Sequence, residues 1–344
     1  MQKHKKLLIT IVFLTVFVIA NSILNFILVP PGLTRVILHE LESNNDYKCV
    51  ILGASHGSYG IDADIVSQQS GKKTMNMCIG GEYLQDSYYL LKQVFETNNP
   101  ELIVLDVDFQ YLVNVPKNNI SANFIYNSYP NSFDKISYFK DKVLGMQFCA
   151  TAFPWMDYRN NYFDVSNIIK TKLGSDYRNY SANAVIMEKQ DVYYGNGFIY
   201  RNRTDDLKKD TLTDLTWDAS AVDQESIEYL KKIIDLCNSK NTKIIMMTMP
   251  VSVVTITNSS NEFDKSYTYL ANLAKANNIE YYNFSLVKES VFPRSIDDYW
   301  DYDGHLYGDA AKRFSVVLGN LLKETEDGQV NVSKYLYDTV RNIQ

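Results

Sequence analysis

The chain has 344 residues, 46% of them hydrophobic and 22% charged, with a net charge of −6. This length holds one large domain or two small ones around a sizeable core, in a composition ordinary for a globular protein. The acidic balance leaves no electrostatic case for nucleic-acid binding, which calls for a basic surface. The four cysteines lack Cys-x-x-Cys or Cys-x-x-His spacing and imply no metal site.

Leu7 to Val29 is almost continuously apolar and follows Lys3, His4, Lys5 and Lys6. Its 23 residues are enough for a helix to cross a hydrocarbon core. Basic residues precede it and only Arg35 follows closely, so the positive-inside rule puts residues 1–6 in the cytoplasm and exports the rest. Pro30 and Pro31 stop the helix where it emerges. Val18-Ile19-Ala20 could instead be read as a signal-peptidase site, but the apolar run continues for nine residues past Ala20. The expectation is an uncleaved single-pass anchor over 7–29 in the cell membrane, then a polar stalk or short helix over 30–46.

Beyond it the chain alternates short apolar runs with helical patterns. Tyr47–Gly53 reads as a buried strand ended by glycine, Asp62–Ser70 as a helix, and Thr74–Cys78 as a second strand. A helix follows over Gln85–Thr97, and Pro100–Asp108 gives a third strand. From about 110 to 215 the text is rich in Asn, Tyr, Asp and Ser and reads as a long insertion with some helix. The alternation resumes with a helix over 222–239, a strand over Lys243–Met249, a helix over 264–277, a strand over Glu280–Phe284, and a last helix over Gly308–Lys323. This pattern predicts an α/β domain over 47–325, a parallel sheet covered on both faces, with residues 326–344 as a tail. Cys49, Cys78 and Cys237 fall in its apolar stretches and are expected as free buried thiols.

In such folds ligands bind beyond the carboxyl ends of the strands, and residues 53–57, 80–86 and 301–305, which follow or adjoin strands, can converge there. Gly53-Ala54-Ser55-His56-Gly57 follows the first strand, and flanking glycines let a strand-to-helix turn expose a serine Oγ. The chain has four histidines: His4 is cytoplasmic, His39 lies just outside the membrane, and His56 adjoins the serine. His305, in Asp301-Tyr302-Asp303-Gly304-His305, remains as the natural base for Ser55. A carboxylate two to four residues earlier can fold back through the Gly turn to hold its tautomer. Gly80-Gly81, after the second strand, lets backbone N–H groups point at a developing oxyanion. A mid-domain α/β-hydrolase serine is opposed by Ser55 following the first strand and by acid and base lying so close together.

Together these elements resemble the SGNH/GDSL hydrolase superfamily: Ser55 after strand one, Gly80 or Gly81 for the oxyanion hole, and Asp303 with His305 near the C-terminus. The resemblance implies a flavodoxin-like three-layer sandwich and a serine esterase or acyltransferase. It favours Asp303 as the acid, with Asp301 as the alternative, since Tyr302 occupies the position three before His305. The Gly-x-Asn-Asp segment of the family is absent: the third strand ends Leu105-Asp106-Val107-Asp108-Phe109, so no Asn donor is assigned. With the anchor and the Trp155-Met156-Asp157-Tyr158-Arg159-Asn160 stretch, the chain is similar to the membrane-anchored accessory proteins of membrane-bound O-acyltransferases. That likeness implies a multi-pass O-acyltransferase as partner, an extracellular glycopolymer as acceptor of an acetyl or D-alanyl group, no cofactor, and His56, Tyr158 and Arg159 along the substrate groove.

Overall fold

Among the described residues, five of the seven strands form one all-parallel sheet. The strands are β1 (Cys49–Leu52), β2 (Thr74–Asn76), β3 (Leu102–Asp106), β4 (Asp191–Gly195), β5 (Phe198–Arg201), β6 (Lys243–Thr248) and β7 (Glu280–Asn283). The sheet order is β2-β1-β3-β6-β7, while β4 and β5 make a separate antiparallel hairpin. In this computed structural model the described residues are 2–113, 120–145, 148–204, 211–328 and 330–343. Parts 114–119, 146–147 and 205–210 of the expected insertion lie outside them.

The strands are short, apolar and buried throughout β1 and β3, as a parallel sheet covered on both faces requires. Alternation along them sends Cys49, Ile51, Leu102, Val104, Ile245 and Met247 into one core cluster with Phe314 and Leu318 of the helix Gly308–Glu326. The alternate residues Val50, Leu52, Ile103, Leu105 and Met246 are equally buried, so helices cover the other face too. Asp62 caps the helix Ala63–Ser70 by accepting from the amides of Asp64 and Ile65. The free thiols Cys49, Cys78 and Cys237 are buried and Cys149 is exposed.

The order of the five strands turns back on itself beside β1: the chain steps outward from β1 to β2, then crosses to β3 on β1's other side. Parallel sheets open a crevice beyond the strand ends at such a switch point. Ser55 follows β1 directly into it.

The chain divides into two units, Met1–Leu38 with Lys117–Ile186, and His39–Pro116 with Met187–Gln344. The second holds the sheet, and also the hairpin β4–β5, which falls within the stretch read from sequence as insertion. The first holds the apolar helix Gln2–Leu28, long and apolar enough to cross a membrane, and the helices Ile120–Ser128, Phe133–Gly145 and Val165–Leu173. In that unit Arg35 sits between the rings of Tyr177 and Tyr180, at 3.9 and 3.7 Å from their centroids.

Residues 33–43 form a short helix, one of the two forms expected there, with Val36, Leu38 and Leu41 buried. One expectation differs. The residues beyond 326 are folded: Leu336 bridges Val287, Lys288 donates to the carbonyl of Tyr335 at 2.9 Å, and Tyr335 and Leu336 join the core. Their apolar residues are too widely spaced to give a periodic signal.

Candidate active site

Ser55 is the first residue of the short helix Ser55–Gly60. The turn before it depends on glycine for space: a Cβ on Gly53 would come within 2.7 Å of Asp106 Cβ, and one on Gly57 would strike the Cys78 sulfur. Asn76, fully buried at the end of β2, clamps this turn. Its amide donates to the carbonyls of Gly57 and Ile61, each at 2.9 Å, and its Oδ1 accepts from the Cys78 amide at 3.0 Å. Three buried hydrogen bonds from one side chain fix the serine turn against the neighbouring strand.

His305 arrives from the far end of the sequence. Its Nε2 accepts from Ser55 Oγ at 2.7 Å, and its Nδ1–H donates to Asp301 Oδ2 at 2.6 Å. Asp301 Oδ1 accepts from the amides of Gly304 and His305 at 3.0 and 3.1 Å, so the carboxylate closes the loop on itself. Burial alone would raise the Asp301 carboxyl, but the bonds from His305 outweigh it and hold it below the ordinary carboxylate range. Gly304 has φ +113°, and a Cβ there would lie 2.6 Å from Val251 Cγ1, so no other residue fits the reversal. Behind Val251, the buried guanidinium of Arg294 donates to the carbonyls of Val251 and Val287 at 3.0 and 3.1 Å.

The imidazole of His305 is held in a stack. His56 lies parallel on one side at 4.4 Å between centroids, Trp300 stacks at 4.8 Å, and Tyr59 meets it edge-on at 6.2 Å. The Arg201 guanidinium lies 4.2 Å from the Trp300 ring centroid. Arg201 and Tyr59 are both tied to Asp191 of the hairpin, at 3.1 and 2.8 Å. His56 donates from Nε2 to the carbonyl of Asp303 at 3.0 Å. Burial, reinforced by neighbouring His305, lowers its pKa and keeps it neutral at pH 7.

Asp303 itself is not the partner of His305. Asp303 lines a cavity of about 400 Å³ with Asp108, Gln110, Thr255 and Tyr302. Burial pushes Asp108 up to about 6 despite the Gln110 amide bonded to it, and the charge of Asp303 adds to the rise. The acid that meets the base is therefore Asp301, because the left-handed Gly304 folds the loop so that the residue four back, not two back, reaches Nδ1.

Gly80 and Gly81 lie in the turn after β2, Gly81 at φ +79°. The turn is closed by buried Glu82, which accepts from the Ile79 amide at 3.1 Å and from Ser87 Oγ at 2.5 Å. Burial raises the Glu82 carboxyl well above its usual range. A Cβ on Gly80 would meet nothing within 4 Å, so the turn is open on the side-chain side of that residue. Tyr158 and Arg159 belong to the other unit, where Arg159 donates to the Met156 carbonyl at 2.8 Å.

Sequence reasoning missed Asn76, Trp300 and Arg201. Trp300 adjoins Asp301 and carried a proximity signal; Asn76 and Arg201 carried none, since each acts through tertiary contact.

No family model matches the chain, and no curated protein is similar to it. Among solved structures it is similar to a Bacteroides fragilis protein provisionally described as an acylhydrolase, at 9% identity over 86% of this chain and 97% of that one, with a TM-score of 0.39. It is also similar to a GDSL-like lipase from Bacteroides thetaiotaomicron, at 9% identity over 86% of this chain and 100% of that one, with a TM-score of 0.36.

Proposed function

We propose that the protein is a serine-dependent acyltransferase, with Ser55 as nucleophile, His305 as base and Asp301 as the carboxylate that orients it. The observation that carries this reading is the unbroken relay from Ser55 Oγ through both ring nitrogens of His305 to Asp301 Oδ2, at 2.7 and 2.6 Å. Nδ1–H on Asp301 leaves the Nε2 lone pair for the serine proton.

In the proposed reaction Ser55 Oγ bonds to the acyl carbonyl carbon as its proton passes to Nε2. The imidazolium so formed is stabilised by Asp301. Collapse of the tetrahedral adduct breaks the bond to the leaving group, which takes the proton from Nε2 and leaves acyl-Ser55. An acceptor hydroxyl then attacks, gives its proton to Nε2, and Ser55 regains that proton as it departs. The amides of Ser55 and Gly80 are the proposed oxyanion donors.

The apolar helix Gln2–Leu28 supports a membrane anchor; in this reading the anchored enzyme acylates a cell-surface glycopolymer with acetyl or D-alanyl groups supplied by a multi-pass O-acyltransferase. In an esterase the same residues would serve with water as acceptor. The test is polymer acylation in cells carrying Ser55→Ala, together with transfer from an activated acyl ester to a polyol by the purified full-length protein. Loss of acylation and acceptor-dependent product are expected. Unchanged acylation sinks the reading, and turnover indifferent to the acceptor turns it into the esterase.

A further inference from the structure

Leu7 to Val18 expose about half or more of their large apolar side chains, for example Phe13 at 65%, and in the membrane-anchored reading lipid covers them. The last turns of the same helix are covered differently. Trp155 donates from Nε1 to Asn21 Oδ1 at 2.7 Å and from its amide to Asn25 Oδ1 at 3.0 Å. Lys172 donates to the carbonyls of Asn25 and Phe26 at 3.2 and 2.7 Å, and Asn161 reaches the carbonyl of Leu28 at 3.4 Å. Segment 148–173 thus satisfies the polar groups of the helix over its C-terminal third. Asn21 lies seven residues before Leu28, about 10 Å down the axis at 1.5 Å per residue.

The apolar surface does not stop where the segment begins. Phe13 stacks on Phe17, Phe17 meets Phe153 edge-on at 5.8 Å, Phe153 meets Phe148, and Phe148 meets Phe139. Phe148, joined to Phe17 through Phe153, is 52% exposed, and Phe17 is 46% exposed. Near the helix end Phe163 is 83% exposed. A surface continuous with a helix that faces the bilayer meets the same surroundings.

From this continuity we infer that segment 148–163 is itself embedded in the outer leaflet, its aromatic side chains packed against acyl chains beside the anchor. The inference rests on the helix crossing the membrane. Tryptophan and tyrosine favour the interfacial zone, where an apolar ring meets a polar tip, and Trp155 and Tyr162 both lie within segment 148–163.

Cys149 offers a direct test, being exposed beside the helix while Cys49, Cys78 and Cys237 are buried. The full-length protein would carry a nitroxide on Cys149 and be reconstituted in phosphatidylcholine–phosphatidylglycerol vesicles. Collision with oxygen, which concentrates in acyl chains, is compared with collision with a water-soluble nickel chelate. Two further labels, Val12→Cys and Phe163→Cys, are placed in a Cys149→Ser background. The oxygen-to-nickel ratio is expected to be highest at residue 12, several-fold above the aqueous value at 149, and intermediate at 163. A lipid value at 12 with an aqueous value at 149 overturns the inference and leaves the anchor standing. An aqueous value at 12 overturns the anchor itself. A label at 149 that is aqueous in vesicles but shielded from both reagents in native membranes assigns the surface to a protein partner and also overturns the inference.

Discussion

Asp301 Oδ2 lies 2.6 Å from His305 Nδ1, although Asp303 stands two residues nearer in the chain. The difference is made by Gly304, whose positive φ turns the backbone so that both the Gly304 and His305 amides point at Asp301 Oδ1. Exchanging Asp301 for Asn keeps the shape and loses the carboxylate that holds the Nδ1–H tautomer. Asp301→Asn is expected to lower kcat by about 10³–10⁴-fold, the scale of such a change in a serine triad. Asp303→Asn, which leaves that bond in place, is expected to stay within about tenfold of the parent. Rates of ester turnover for the two variants decide between the carboxylates, and equal losses would remove Asp301 from the relay.

Ser55 and His305 act as one unit if the relay transfers the proton. Ser55→Ala, His305→Ala and the double variant are then expected to lose similar activity, about 10³–10⁶-fold each, with no multiplication in the double. Covalent labelling by a fluorophosphonate should vanish with Ser55→Ala. A double variant as slow as the product of the two single losses argues for independent roles.

The stack on His305 leads to a third expectation. The face of Trp300 lies against the ring that becomes imidazolium in the proposed mechanism, and an aromatic face stabilises such a cation by roughly 0.5–2 kcal/mol. Trp300→Leu is expected to lower kcat about tenfold with little change in KM, and Trp300→Phe to recover most of it. A change confined to KM would mean that Trp300 contacts substrate instead.

Asp108 gives a pH signature in stability. Its folded pKa of about 6 lies above the ordinary carboxylate value, so the native state holds the proton more tightly than the unfolded chain. Stability contributed by Asp108 is therefore full below pH ~4 and is lost as pH rises towards 6. Asp108→Asn removes that loss while keeping an oxygen for the Gln110 amide, bonded at 2.9 Å. The variant should match the parent near pH 3 and exceed it by on the order of 1–2 kcal/mol above pH 6. Denaturant melts across this range are the measurement; a constant difference would show that Asp108 does not titrate with folding.

The parallel sheet was legible because β1, β3 and β6 are apolar runs with strand length, each preceded or followed by a helical pattern. The hairpin β4–β5 was not, although Gly195-Asn196-Gly197 is a turn signal: its strands are four and five residues long and only partly buried, so they present no clean alternation. Ser55 and His305 could be named from glycine spacing and the shortage of histidines. The acid could not, since the choice between Asp301 and Asp303 turns on one backbone angle and on Val251, a residue fifty positions away. Trp300, Arg201 and Asn76 matter through packing that no local pattern encodes.

The last helix has a further consequence for biosynthesis. Gly319 packs on Val66 and Gln69 of the helix that follows the serine turn, and Ser315 Oγ accepts from the Asp62 amide at 2.8 Å. The beginning and end of the sheet unit thus complete each other, 250 residues apart in the case of Ser55 and His305. A growing chain exposes its serine long before the histidine exists to take its proton. Under the proposed mechanism an emerging chain stays chemically silent until its final segment docks, and a chain broken off short of residue 305 carries a serine without its base.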